Sequence, residues 1–464
     1  MTGEELQEKL LYKKKNGYFE FDEKDEVFAF CEGYKDFLNA CKTERECVDY
    51  TVEMAIENGF VNLDYVTELK PGDKVYSVNR EKAVMLAVIG TKPIWEGTKI
   101  VAAHIDSPRL DLKQNPVFES SEIAYFKTHY YGGIKKYQWA SIPLAIHGVV
   151  IKEGGETVKI SIGEKESDPV FYISDLLPHL AASQMKGDAT KIIEGEKLNV
   201  ILGTIPFEDD KISEGVKLNV LKLLNEEYDI TEKDFVSAEI EIVPAYPAKD
   251  VGLDRSLVGS YGHDDRVCAY TALQAIIDAK QGELTNICYL VDKEEVGSSD
   301  TTGMRSRFFE DTLAVLCAKS GENYNDLKVR SAMTNSICLS SDVTAALDPN
   351  FESVMERNNS AYLNKGVCFM KYTGARGKSG TSDCSCEFVR KVTDIMDNAG
   401  VVWQTGELGR VDEGGGGTVA QYLAVLNIQV IDCGVPLLGM HSPYEIAAKF
   451  DIYQAYKGYM AFYN

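Results

Sequence analysis

The adjacent acids Glu294 and Glu295 stand in Asp292-Lys293-Glu294-Glu295-Val296-Gly297, directly after the apolar run Ile287-Cys288-Tyr289-Leu290-Val291. Two carboxylates crowded at the end of a buried strand repel each other unless a cation or a proton compensates them. The pair therefore suits a base beside a metal ligand. The competing explanation is a solvated acidic turn, the ordinary setting of loop charges. Three further clusters share this setting, and a fourth stands before a helix. His104 closes Ile100-Val101-Ala102-Ala103, and Asp106, two residues on, is spaced to orient the imidazole and fix its tautomer. Asp342 follows Ser336-Ile337-Cys338-Leu339-Ser340. Asp264-Asp265 precede a helical pattern with Val267, Tyr270, Leu273, Ile276 and Ile277 on one face. His441 follows Ile428-Gln429-Val430-Ile431-Asp432-Cys433-Gly434 and a short linker. After it, Ser442-Pro443-Tyr444-Glu445 carries a helix-start pattern of Ser cap, Pro in the first turn and Glu three residues on. Singly, a His near a strand end is more often structural and an Asp before a helix more often a cap. Together they supply His, Asp, Glu, Asp and His, donors suited to zinc, manganese or cobalt and free of thiolate. Five protein ligands exceed a mononuclear catalytic site, but they fill two if one carboxylate bridges ions about 3.5 to 4 Å apart.

Because the clusters follow apolar runs, the elements that must position them are strands of an open α/β sheet, whose ligand crevice lies at the carboxyl ends of the strands. At 464 residues with 44% apolar content, the chain is long enough for two domains, or for one domain carrying an insertion. A net charge of -23 argues against a nucleic-acid partner, which needs a basic stripe, and against an anionic membrane. No uninterrupted run of about 18 apolar residues is found, and the first residues lack a basic region before an apolar one. Eleven scattered cysteines fit the reduced thiols of a cytosol, so a cytoplasmic protein is expected. Cys384-Ser385-Cys386 lacks a second pair and is taken as structural.

Amphipathic stretches at 27–38 and 44–58 lead into strand-like runs ending at His104. From about 111 to 244 the chain is rich in strands and turns, with helical pieces expected near 174–185 and 214–227. Val236, Ala238, Ile240 and Ile242 alternate with Ser237, Glu239 and Glu241, the period of a half-buried antiparallel strand. Strand, loop and helix alternate again after Pro244-Ala245-Tyr246-Pro247. The expected organisation is a discontinuous α/β domain, 1–110 and 245–464, interrupted by an inserted domain, 111–244.

The series Ala103-His104-Ile105-Asp106-Ser107-Pro108, Asp264-Asp265, Asp292-Lys293-Glu294-Glu295-Val296-Gly297-Ser298, Ser340-Ser341-Asp342 and Gly439-Met440-His441-Ser442 runs in order through nearly the whole chain. It resembles the motifs of the aspartyl aminopeptidase and vacuolar aminopeptidase I family of cocatalytic dizinc exopeptidases. That resemblance implies a mixed-sheet α/β catalytic domain flanked by helices, with an inserted mainly-β dimerisation domain. It implies two divalent ions per subunit, zinc first and cobalt or manganese also suited, held by His104, Asp264, Glu295, Asp342 and His441 with Asp264 as the bridge. The family usually carries Asp-Asn where this chain has Asp264-Asp265, so a shift of one would make Asp265 the bridge. Relatives hold a cis peptide at this point. Glu294 is the implied general base, with Asp106 and Asp265 supporting the ligands.

By the same resemblance, the reaction releases the N-terminal residue of a peptide, acidic (Asp or Glu) or neutral such as Leu. His179 in Leu177-Pro178-His179-Leu180-Ala181 would reach the neighbouring subunit's substrate, and Lys371 in Phe369-Met370-Lys371-Tyr372 would meet an acidic side chain. The expected assembly is a homo-oligomer of dimers, as a tetrahedral dodecamer. A dimetal deacylase or carboxypeptidase acting on small amides is the alternative. A non-catalytic assembly protein fits poorly, since every ligand type and the base are present.

Overall fold

A computed structural model describes the chain apart from residues 13, 15, 20, 23, 322 and 323. Ala83–Val88 and Thr285–Val291 are buried along their whole length, and Thr98–His104 at all but one position. Such strands have no side to give to water and must be covered on both faces. They lie inside a nine-stranded mixed sheet ordered Val61–Asn62, Lys74–Asn79, Ala83–Val88, Thr285–Val291, Thr98–His104, Ile337–Ser340, Gln429–Gly434, Val367–Met370, Trp403–Thr405. Alternate residues serve two cores. Val101 and Ala103 pack with residues of the helices Lys24–Ala40, His263–Asp278 and Lys449–Tyr463, whereas Ile100 and Ala102 pack with Phe308–Lys319 and Asp326–Asn335. Because His263–Asp278 lies over the sheet and under other helices, it is buried nearly all round rather than on one face.

A six-stranded antiparallel sheet draws all its strands from Arg109 to Pro244, in the order Thr157–Ile162, Leu144–Ile151, Glu239–Pro244, Arg109–Ser120, Ile123–Tyr131, Asn199–Gly203. It has its own core, with Trp139, Phe126 and Phe235 among the buried residues. A five-stranded sheet joins Lys249–Val251, Leu257–Ser260, Glu445–Ala448, Pro436–Leu438 and Thr344–Ala345. The mixed α/β architecture expected from the sequence is the one observed.

Three local expectations are corrected. The helix expected near 174–185 is replaced by short 3-10 turns, Pro178–Leu180 and Gln184–Lys186. Pro178 holds Leu177 extended and lacks the N–H that would continue a helix. The expected strand 236–242 begins only at Glu239, because the reciprocal hydrogen bonds of Thr231 and Asp234 start a 3-10 turn, Glu232–Ser237, that carries Val236 into solvent. Within that strand Glu241 is buried despite its polar register, beside Arg109 Nη2 at 3.2 Å. The helix expected from Ser442 does not form; a strand, Glu445–Ala448, comes first and the helix Lys449–Tyr463 follows. The piece expected at 214–227 is the helix Gly215–Tyr228.

Buried ion pairs tie the six-stranded sheet to the helix Glu44–Glu57. Arg109 meets Glu44 at 3.3 Å, and His147 lies between Glu46 at 2.8 Å and Glu164 at 2.9 Å. Burial disfavours the His147 imidazolium, but its hydrogen bonds to Glu164 and Glu46 outweigh this and raise its pKa to about 9. A pKa raised above the ordinary value near 6.5 adds stability that is fully present below pH ~6.5 and is lost as pH climbs through ~9. His147→Gln is therefore expected to destabilise the protein by about 2 to 3 kcal/mol at pH 7. The gap in urea midpoint between the two proteins should close toward pH ~10. A gap that stays constant with pH would sink this assignment.

Candidate metal centre

Four neighbouring strands run parallel, Thr285–Val291, Thr98–His104, Ile337–Ser340 and Gln429–Gly434, so their carboxyl ends share one rim. Val291 pairs with His104, and Ser340 with both Ala102 and Asp432. The register places Glu294 and Glu295, His104 and Asp342 side by side, since each lies at or just past the end of its strand. Asp264 and His441 arrive from outside this sheet. Asp264 enters at the start of the helix His263–Asp278, and His441 from the turn between Pro436–Leu438 and Glu445–Ala448. His104 Nε2 lies 3.2 Å from Asp264 Oδ1, and His441 Nε2 lies 3.2 Å from Asp264 Oδ2 and 3.4 Å from Glu295 Oε1. One carboxylate thus presents a different oxygen to each imidazole. Glu294 Oε2 is 4.0 Å from His104 Nε2, and its side chain keeps 18% exposure.

Buried carboxylates set the backbone of these residues. Asp106 Oδ1 accepts the Glu294 N–H at 3.1 Å, and Oδ2 accepts the Glu295 N–H at 3.2 Å. His104 Nδ1 is 3.0 Å from the Asp106 carbonyl and 3.3 Å from its Oδ1, so Asp106 touches the imidazole through backbone and side chain alike. Glu445 does the same for the opposite wall: its Oε2 accepts the Asp264 N–H at 3.1 Å and its Oε1 the His441 N–H at 2.7 Å. The sequence pattern had assigned Glu445 to a helix start. An acid opening the apolar stretch Ile446-Ala447-Ala448 is the only signal it offered. The Asp264–Asp265 peptide is cis. Asp265 Oδ2 accepts the His104 N–H at 3.3 Å, and its Oδ1 is buried without a hydrogen-bond partner.

Two sets of residues bring ligand atoms within 4.8 Å of one another: His104, Asp264 and Glu295, and His104, Asp265 and Asp342. These buried acids crowd one another, and the carboxyl groups respond to that. Burial, then the charge of Asp264, pushes Asp265 and Glu295 well above the carboxylate range; burial and Asp265 do the same to Asp342. Burial together with Asp106 and Asp264 lifts Glu294 to about 7, although His104 opposes the shift. Burial also resists the charge on Asp264, yet hydrogen bonds from His104 and His441 hold its carboxyl below the ordinary range. A cation among these crowded carboxylates would compensate their mutual repulsion. An orphaned buried oxygen and a donor set of imidazoles and carboxylates fit divalent ions of zinc type.

Asp264, Glu294, Glu295, Asp342 and His441 open into a cavity of about 400 Å³. Val343, Met370, Leu408 and Met440 line it, and neither Lys nor Arg does among the described residues. Gly415, Gly416 and Gly417 form part of its wall. Gly415 has φ +125° and a Cβ there would overlap the Gly374 carbonyl, so the run of glycines allows close backbone approach. Lys371 is exposed just past Met370 and is not among the lining residues. His179 is exposed on the turn Pro178–Leu180 and is not among the lining residues. Cys384 is buried and Cys386 exposed, and neither belongs to a group able to hold a metal among the described residues.

Among proteins of known sequence, the chain is 53% identical over 461 residues to the probable M18 family aminopeptidase 1 of Clostridium acetobutylicum, covering 98% of this chain and 99% of that one. The crystal structure of an M18 aminopeptidase from Thermotoga maritima superposes with a TM-score of 0.95 at 45% identity, over 98% of this chain and 100% of the other. That of aminopeptidase I from Clostridium acetobutylicum gives a TM-score of 0.92 at 52% identity, with coverage of 98% and 100%. The family model for aminopeptidase I zinc metalloprotease (M18) matches residues 37–463. With that span matched and the rim of acids and imidazoles in place, the chain belongs to the M18 family of zinc metalloaminopeptidases.

Proposed function

We propose that this metalloaminopeptidase works with two divalent ions, most simply zinc, for which Asp264 would be the shared ligand. His104 and Asp342 would help hold one ion, and Glu295 and His441 the other. The carrying observation is the Asp264 carboxylate, whose two oxygens each lie 3.2 Å from a different imidazole. Asp106 and Asp265 keep His104 in place, and Asp106 also holds the backbone of both glutamates. When bound, the ions supply Lewis acidity that favours an ionised water and charge on the scissile carbonyl oxygen. Glu294, at the cavity wall, takes the proton from the attacking water and returns it to the leaving amine.

The preferred N-terminal residue is neutral and apolar, of the Leu or Met kind. Val343, Met370, Leu408 and Met440 offer an apolar wall, and among the described residues no Lys or Arg lines the cavity to pair with an acidic side chain. Residues 111–244 serve as the dimerisation unit, inserted into the metal-binding unit 1–110 and 245–464. Leu176, Leu177, Leu180 and Met185 stand 44 to 70% exposed around His179, the kind of apolar surface that a second copy covers. In that dimer His179 reaches the partner's substrate. Assembly to a tetrahedral dodecamer is part of this proposal, supported at the level of fold by a yeast structure, the S. cerevisiae mApe1 dodecamer, at 19% identity and a TM-score of 0.75.

The test is hydrolysis of Leu, Met, Ala, Lys, Asp and Glu aminoacyl substrates, each also N-acetylated, by metal-loaded protein. Leu and Met are expected to exceed Asp and Glu in kcat/KM by about 10-fold or more, and no acetylated substrate should be cleaved. Preference for Asp would overturn the apolar assignment and return Lys371 to the substrate. Cleavage of the acetylated series would favour a deacylase.

A further inference from the structure

We infer that Tyr131-Gly132-Gly133, at the end of a strand of the six-stranded sheet, is a positioning element for both metal positions. The inference rests on the two-metal proposal above. Each of the three residues touches a different part of the centre, and none offers a ligand atom to it.

The Tyr131 hydroxyl donates to Asp106 Oδ2 at 2.7 Å. That carboxylate is the one whose two oxygens accept the N–H groups of Glu294 and Glu295 and whose residue contacts His104 Nδ1. The Tyr131 ring is itself fixed, with the Arg109 guanidinium 4.0 Å and the Lys293 ammonium 5.3 Å from its centroid. Arg109 is held in turn by Asp111, Glu44 and Glu241. On the other side, the Gly133 carbonyl accepts from His441 Nδ1 at 2.8 Å. This bond selects the tautomer that leaves Nε2 free to face Asp264 and Glu295. Gly132 sits between them at φ +72°, where an added Cβ would meet Glu295 Oε2 at 3.2 Å and Glu295 Cβ at 3.3 Å. A side chain there would push on the carboxylate as well as strain the backbone.

The consequence is that a strand outside the sheet bearing the acids and His104 sets the orientation of His104, Glu295 and His441. Metal affinity should then depend on Tyr131 and Gly133 although neither contacts metal. Outer partners of ligating residues commonly contribute 10- to 100-fold to metal affinity.

Tyr131→Phe keeps the ring between Arg109 and Lys293 and removes only the hydroxyl. Gly133→Ala is allowed by its backbone but sets a Cβ 3.1 Å from His441 Nδ1. Zinc dissociation constants would be measured by chelator competition on the full-length proteins, beside His441→Ala and wild type, with thermal midpoints recorded on each apo protein. The expected result is about 10- to 100-fold weaker zinc in Tyr131→Phe and Gly133→Ala, with apo midpoints close to wild type. Wild-type affinity in both variants, with zinc lost in His441→Ala, would overturn the positioning role and leave the two-metal proposal standing. Wild-type affinity in His441→Ala as well would overturn both. Weaker zinc accompanied by equally lowered apo midpoints would assign these residues to general stability and overturn the inference.

Discussion

Glu294→Gln is expected to lower kcat by about 10³-fold or more while the protein keeps its metal. The amide preserves the size of the side chain and leaves the peptide N–H bond to Asp106 intact, so the rim should not move. What disappears is the oxygen able to take a proton. Glu294 is the member of the acidic pair with the greater freedom: its side chain is 18% exposed and lines the cavity, whereas that of Glu295 is 4% exposed and lies against His441. A carboxyl pushed up by burial and neighbouring acids also holds a proton more readily than a solvated one, which suits a group that must accept and then release it. KM should change little, because Glu294 is assigned to no ground-state contact with substrate. Near-normal turnover in this variant would remove Glu294 from the chemistry, and loss of metal would make it a ligand instead.

His441→Ala should act in the opposite order, with metal lost first and activity lost as its result. The imidazole approaches both Asp264 and Glu295 and enters from a turn rather than from the sheet. The loss of affinity should exceed the 10- to 100-fold typical of outer partners. Metal content by atomic emission after dialysis is expected to fall by about half if two ions bind in the wild type. Full occupancy would show that His441 is not a ligand. Complete loss of metal would show that the two positions do not fill independently.

The donor types and their places along the chain were legible without coordinates. Ile100–Ala103, Ile287–Val291 and Ile337–Ser340 are apolar because both faces of their strands are covered, and the polar residue ending each run marks the rim. The order of the motifs likewise carried the family, which the match over residues 37–463 shows. Local pattern failed where a side chain answers to a distant partner. Glu241 has the spacing of an outward-facing residue, yet it is buried against Arg109. Glu445 has the spacing of a helix cap, yet it binds the peptide N–H groups of Asp264 and His441, one of them 181 residues away.

The sequence by itself determined the donor chemistry, the strands that end in it and the acidic surface that disfavours nucleic acid, because composition and period are properties of the chain. Only the tertiary structure decided which oxygen of Asp264 faces which imidazole, that Met370 rather than Lys371 lines the cavity, and that the Gly133 carbonyl meets His441 308 residues on. Those facts depend on strand register and on backbone groups that every residue carries alike, so no residue type announces them.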